Sequence, residues 1–178
     1  MLIKERHEII IKHHPYCESL NKKLMEDVKT FRFYSPEELP FNTNIQGTQY
    51  NFGRRNKNEW TPSICLLVDW IYQLIGNISQ GAEELDGKPR STVWFARYNK
   101  GDYTKEHDHQ LHALFAFVYF VNAPSGSSSL FFPTSGKKIK AEEGKVVIFP
   151  GNVRHSVPPN KCDNRIVVAG NIGYDFST

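Results

Sequence analysis

The chain has 178 residues, 39% hydrophobic, 13% aromatic and 23% charged, with a net charge of +3. That length supports one domain with a real core, here read as 1–178, and is short for two; so small a positive excess points no further than an acidic small molecule as an anionic partner. The three cysteines, Cys17, Cys65 and Cys162, show no C-x2-C spacing, which argues against a zinc site or a disulfide framework and for a reducing, cytoplasmic setting.

The first apolar run, in MLIKERHEIIIKHHP, is too short for a signal peptide, and no later run reaches membrane-spanning length. Glu8 to Lys12 reads as a strand, broken at His13, His14 and Pro15. Neighbouring residues on a strand face opposite ways, so His13 and His14 are not read as a joint metal pair. From Pro15 to about Lys29, the apolar positions Cys17, Leu20, Leu24 and Val28 recur at helical spacing. Residues 34–60 are rich in Pro, Asn, Gly and Arg, and read as a long loop suited to a lid or substrate wall, with a short strand near Thr48 to Phe52. Its basic and aromatic residues, Arg54, Arg55 and Lys57 with Tyr50, Phe52 and Trp60, lack a nucleic-acid-binding signature and read as a solvated turn. Thr61-Pro62 opens a second helix, reaching Asn77 or Ser79, whose apolar stripe runs Ile64, Leu67, Val68, Ile71, Leu74, Ile75, Ile78.

After the connector 81–88 the chain becomes a series of short β-like runs: Thr92–Tyr98, Tyr103–His109, Ala113–Val121, Ser129–Phe132, Lys137–Lys140, Lys145–Phe149, His155–Val157 and Arg165–Ile172. Eight such strands suit a mainly β fold, a double-sheet jelly roll with a mouth at one end and the N-terminal helices buttressing one sheet. Residues 1–90 are then support and 91–176 the β core.

The chemistry concentrates in YNKGDYTKEHDHQLH, Tyr98 to His112. On an extended chain His107 and His109 point one way and Asp108 the other, so two imidazoles can close on one cation. His155, at the start of the return path after the turn Pro150-Gly151, is the best third ligand, giving a layout suited to mononuclear iron with open coordination positions. A lone histidine near a strand end is usually a surface residue, so His7 and His112 are not read as ligands.

The pattern Tyr98-x2-Gly101, His107-x-His109, an apolar strand carrying Tyr119, Gly144 to Pro150, then His155-x9-Arg165 resembles the 2-oxoglutarate- and iron(II)-dependent oxygenases, particularly phage-encoded and bacterial members related to prolyl hydroxylases. The likeness covers about Ser91 to Phe176. It implies a double-stranded β-helix, Fe(II) and 2-oxoglutarate as cofactors, O2 as co-substrate, and succinate and CO2 as co-products. It further implies Arg165 as the grip on the far carboxylate of 2-oxoglutarate, a structural ion pair being the alternative, with Tyr98 and Tyr103 either hydroxyl donors to it or packing residues. Asn171 either lines the same pocket or hydrogen-bonds structurally. The chain departs from the family where a carboxylate usually follows the first histidine by two residues and His109 stands instead. Either three histidines hold the metal, or Asp108 replaces His109: alternation favours His109, and a bulge can re-aim Asp108. The related enzymes oxidise peptidyl proline, amino acids, nucleobases or metabolites, and a peptidyl proline or other protein side chain is favoured. Two other readings stand beside it: a cupin-type three-histidine dioxygenase without 2-oxoglutarate, and a metal-stabilised binding or structural protein.

Overall fold

The computed structural model describes residues 7–38, 45–46, 48–51, 60–76, 88–110 and 113–175. His112, Ile78 and the basic positions 54, 55 and 57 lie outside them. Eleven strands and two α-helices are described, in the order β1 (Ile10–His13), α1 (Cys17–Thr30), β2 (Ile45–Gln46), β3 (Thr48–Asn51), α2 (Pro62–Gly76), β4 (Lys88–Tyr98), β5 (Tyr103–His107), β6 (Phe115–Asn122), β7 (Leu130–Phe132), β8 (Lys137–Ile139), β9 (Lys145–Pro150), β10 (His155–Val157) and β11 (Arg165–Asp175). They form two antiparallel sheets, a major one ordered β1-β9-β6-β11-β4-β3 and a minor one ordered β2-β5-β10-β7-β8. This is the expected mainly β double-sheet architecture, and all eight expected core strands are present.

Period-2 alternation divides the major sheet's residues between two cores. Val93 and Phe95, Phe117 and Tyr119, Val146 and Ile148, and Ile166 and Val168 pack with Leu20, Leu24 and Val28 of α1 and with Ile64, Leu67, Val68, Ile71 and Ile75 of α2. The intervening residues Ala96, Tyr98, Ala116, Phe120, Val147, Phe149 and Val167 face Leu130, Phe132 and Val157 of the minor sheet. Both helices therefore cover one face, and the other face is left for the cleft between the sheets.

Polar pins orient the helices. Asn21 of α1 donates to the Val121 carbonyl at 2.9 Å and accepts from the Tyr119 hydroxyl at 2.6 Å, tying the helix to β6 inside the core. Thr61 caps α2 by accepting the Ile64 amide at 3.3 Å, and both Thr61 and Ser63 donate to Asp27 of α1. Pro15 precedes α1 instead of entering its first turn: the Tyr16 amide is taken by His14 Nδ1 at 3.1 Å, and the helix opens at Cys17.

Two features went unforeseen. The strand β2 pairs with β5, and β5 carries a β-bulge. His155 and Val157 of β10, two residues apart, oppose His107 and Thr104 of β5, three residues apart. The extra residue shifts the phase of β5, so Thr104 and His107 face the same side despite their odd separation.

Candidate metal and cosubstrate site

His155 and His107 are direct partners across the β10–β5 ladder, their ring centroids 4.1 Å apart. His109 lies just beyond the end of β5, 4.8 Å from the His107 ring and 5.1 Å from that of His155. One ligand atom from each of the three lies within 4.8 Å of the other two. Strict alternation from Thr104 aims Glu106 and Asp108 at the cleft. The bulge turns them away: Glu106 is exposed and bonds Arg154 Nε at 2.6 Å, and the Asp108 carboxylate accepts the Gln110 amide at 3.3 Å.

Two of the imidazoles are oriented by the backbone. His107 Nδ1 meets the Lys105 carbonyl at 2.9 Å, and His155 Nδ1 meets that of Val153 at 3.0 Å. A ring nitrogen facing a carbonyl is the protonated one, leaving Nε2 with its lone pair directed into the cleft. This is the usual way a protein sets the tautomer of a metal-binding histidine. Phe149, 4.6 Å from the His155 ring centroid to centroid, walls the group on the major-sheet side.

Burial is the main cause that lowers the His107 pKa, and it pushes His155 down to about 3, helped by the His107 ring beside it. Neutral imidazoles are the form that binds metal, so the set is prepared for a cation at neutral pH. The linkage has a definite sign. An unfolded histidine takes up a proton near 6.5, and folded His155 does so only near 3. The unfolded chain thus binds more protons between those values, and apoprotein stability falls with falling pH across that window, by up to about 1.4 kcal/mol per pH unit from this residue. Urea unfolding of metal-free protein at pH 7, 6 and 5 measures that slope, and the His155→Gln variant should flatten it.

The position of His109 depends on Gly151. The His109 amide donates to the Gly151 carbonyl at 2.6 Å, the Gly151 amide to the Leu114 carbonyl at 2.8 Å, and the Ala113 amide to the His109 carbonyl at 2.9 Å. A Cβ on Gly151 would overlap the Ala113 carbonyl oxygen, a backbone atom that moves only with its loop. Gly151→Ala should therefore displace Ala113 and, through their hydrogen bonds, His109, and weaken metal binding about 10- to 100-fold, as loss of orienting groups around ligands generally does. Isothermal titration with Fe(II) or Mn(II) reads the effect.

At the far end of the cleft lies Arg165, 0% exposed. Its side chain is sandwiched between rings, with Cζ 4.6 Å from the Tyr98 centroid and 5.3 Å from that of Phe120. Arg165 and Tyr98 are also partners in the β11–β4 ladder. Among the described residues none of its three guanidinium nitrogens has a hydrogen bond of acceptable geometry, and burial lowers its pKa. A buried cation whose neighbours are two aromatic rings, the Tyr98 hydroxyl and the Cys162 thiol is incompletely satisfied and suits an anion. The Tyr98 hydroxyl bonds Thr104 Oγ1 at 2.6 Å, and burial raises the Tyr98 pKa, keeping it a protonated donor.

The connection that sets Arg165 opposite Tyr98 is stitched shut. Asn160 exchanges backbone bonds with Gly101 and Asp102 at 2.8 Å, the Lys100 amide donates to Asp163 at 3.0 Å, and the Asn164 amide to Asn99 at 3.2 Å.

His107, His109, His155, Arg165 and Tyr98 are thus distributed around one cleft. Tyr103 is not among them: Thr104 faces Tyr98, and the adjacent residue takes the other face of β5. Asn171 lies on the same face of β11 as Arg165 by alternation, six residues further along. Thr104, Phe120 and Gly151 were missed in the sequence. A threonine, a phenylalanine in an apolar run and a turn glycine have no distinguishing pattern until their strands are paired.

One buried and two half-buried imidazoles, with a buried guanidinium on the same side of the major sheet, form a set suited to a metal ion and an oxoacid. Residues 93–173 match the family model described as the 2OG-Fe(II) oxygenase superfamily, whose members use Fe(II) and 2-oxoglutarate. Its fold is similar to that of a Pseudomonas putida prolyl-4-hydroxylase (TM-score 0.72, 16% identity, 93% of this chain and 92% of that one). It is also similar to the viral collagen prolyl hydroxylase of Paramecium Bursaria Chlorella virus-1, solved as its 2OG complex (TM-score 0.69, 17% identity, 92% and 94%). A third likeness is to a Trichoplax adhaerens prolyl hydroxylase in complex with a hypoxia inducible factor oxygen degradation domain peptide fragment (TM-score 0.64, 12% identity, 92% and 82%). No curated protein matches the sequence. Among the described residues no helix is long and apolar enough to cross a membrane.

Proposed function

We propose that the chain hydroxylates a peptidyl proline or another protein side chain, consuming 2-oxoglutarate and O2 and releasing succinate and CO2. In this reading His107, His109 and His155 hold Fe(II), Arg165 takes the distal carboxylate of 2-oxoglutarate, and Tyr98 donates a hydroxyl hydrogen bond to it. The observation that carries the reading is the fully buried guanidinium of Arg165, which has no acceptor among the described residues and lies in the same cleft as three clustered imidazoles. A planar fork of donors suits a carboxylate, and it stays charged where a lysine would readily lose its proton.

Bound iron and 2-oxoglutarate together supply the oxidising power, coupling oxidative decarboxylation of the cosubstrate to insertion of one oxygen atom into a C–H bond. The rest is the work of the chain's own groups. The carbonyls of Lys105 and Val153 hold two imidazoles with Nε2 presented to the cleft. Phe120, Phe149 and Phe132 keep water from the interior end. Tyr98, in contact with Arg165 and braced by Thr104, fixes the plane in which the guanidinium meets its anion.

The test is succinate release by iron-loaded protein over pools of proline-containing peptides, free amino acids and oligonucleotides. Release dependent on peptide, with a +16 Da peptide product, is the expected result. Release with amino acid or oligonucleotide alone overturns the substrate class. If 2-oxoglutarate produces neither a charge-transfer band nor succinate, the cupin-like alternative, in which Arg165 has no cosubstrate, takes its place.

A further inference from the structure

β1 is an end strand of the major sheet, and among the described residues it pairs with β9 alone. Its other side is an open edge. The His14 amide donates to the Gly144 carbonyl at 2.9 Å, in step with the β1–β9 register, and the Gly151 amide donates to the Leu114 carbonyl at 2.8 Å, in step with the β6–β9 register. Even-numbered β9 positions therefore serve β1 and odd-numbered ones serve β6, so Ile10 and Lys12 turn their backbone N–H and C=O toward β9. Ile9 and Ile11 turn theirs outward, where no described strand meets them.

The side chains sort the same way. Ile10 packs into the helix-side core and Ile9 into the core between the sheets, which puts Ile11 on the inner face beside Ile9, yet Ile11 is 42% exposed. By the same alternation Glu8 and Lys12 share the helix side. Both are exposed, and neither has an ion-pair partner among the described residues. A monomeric protein blunts such an edge with a proline, a bulge or a row of charges. EIIIK instead places three β-branched isoleucines between one acid and one base.

That order of charges fits a second copy of the same strand. Laid antiparallel about a two-fold axis at Ile10, two β1 strands set Glu8 of each copy opposite Lys12 of the other, and Ile9 opposite Ile11. In this register the outward groups of Ile9 and Ile11 exchange hydrogen bonds, and Glu8 meets Lys12 at a non-hydrogen-bonded position, where side chains come closest. The exposed flank of Ile11 is then covered by Ile9 of the other copy. Other registers lose the match: an axis at Ile11 sets Glu8 against His14 and Lys12 against Ile10, and an axis at Lys12 sets that lysine against itself.

We propose that the β1 edge is a homodimer interface, at which two copies join their major sheets into one continuous sheet by isologous β1–β1 pairing. Sedimentation equilibrium of the full chain at low ionic strength is expected to show a monomer–dimer equilibrium. Glu8→Lys and Lys12→Glu should each raise the dimer dissociation constant about tenfold, because both symmetry-related pairs turn from attraction to repulsion, and the double variant carrying both should restore it. Ile11→Pro removes an outward N–H that the monomer does not use, so it should abolish the dimer and leave the circular dichroism spectrum intact. Ile10→Pro removes an N–H directed at β9 and should also lower the melting temperature. A chain that stays monomeric at every concentration overturns the proposal. So does a dimer that ignores both charge reversals or survives Ile11→Pro, since its interface then lies elsewhere. A dimer weakened by either reversal and not restored by the double variant overturns the Glu8–Lys12 pairing on which the proposal stands.

Discussion

Replacing Arg165 by methionine is expected to lower kcat/KM for 2-oxoglutarate by about 10²- to 10³-fold and, at the same time, to raise the melting temperature of the metal-free protein. The first effect follows from losing a bidentate, desolvated ion pair, where truncating one partner typically costs 2–5 kcal/mol or more. The second follows from what the guanidinium does when no anion is bound. Its three nitrogens are buried without acceptors, and the faces of Tyr98 and Phe120 offset only part of the desolvation cost. An unbranched apolar chain of similar length fills the same slot without that cost. A structural ion-pair role for Arg165 predicts the opposite sign, because the variant would then lose stability. Differential scanning fluorimetry with and without 2-oxoglutarate separates the two: wild type is stabilised by the ligand, and Arg165→Met starts higher and gains nothing. A variant that starts lower removes the cosubstrate role from Arg165.

His155→Ala should reduce Fe(II) affinity by more than about 100-fold, since loss of a ligand exceeds the 10- to 100-fold cost of disturbing the groups that orient one. His155 is 5% exposed and packs against His107, His109 and Phe149, so no other described side chain can take its position without backbone movement. The second ligand is tested by a pair of variants. His109→Asp should keep substantial metal binding, because a carboxylate two residues after the first histidine is the arrangement the resembling oxygenases use. Asp108→Asn should leave affinity unchanged, because that carboxylate is engaged with the Gln110 amide outside the histidine group. Titration with Mn(II), followed by paramagnetic relaxation of water, reads all three without turnover. Retention of affinity in His155→Ala, or its loss in Asp108→Asn, would break the three-histidine assignment.

Much of this was legible in the one-dimensional chain. The two helices, the run of short strands and their division between two faces follow from local periodicity, which needs no knowledge of partners. The ligand types, the His155-x9-Arg165 spacing and the turn at Pro150-Gly151 are equally local. They led to the double-sheet fold and to the oxygenase superfamily matched over 93–173. Element ends were less legible: β5 closes at His107 instead of His109, β4 begins at Lys88, and Pro15 stands outside α1. Ends are decided by which backbone groups find partners, and those partners are distant in sequence.

Alternation already favoured His109 over Asp108 as the partner of His107, and the two histidines do cluster; the side of β5 they take relative to Thr104 was beyond the sequence for a related reason. Alternation fixes the relative facing of residues on one strand, and a single inserted residue inverts it. Whether one is inserted depends on how β5 meets β10 fifty residues later. The same holds for Arg165. Its residue type was visible, and its lack of partners was not, because an unsatisfied hydrogen bond is a property of everything folded around a group. The chain alone therefore determined which chemistry was present, and long-range strand pairing decided which atoms were left over to perform it.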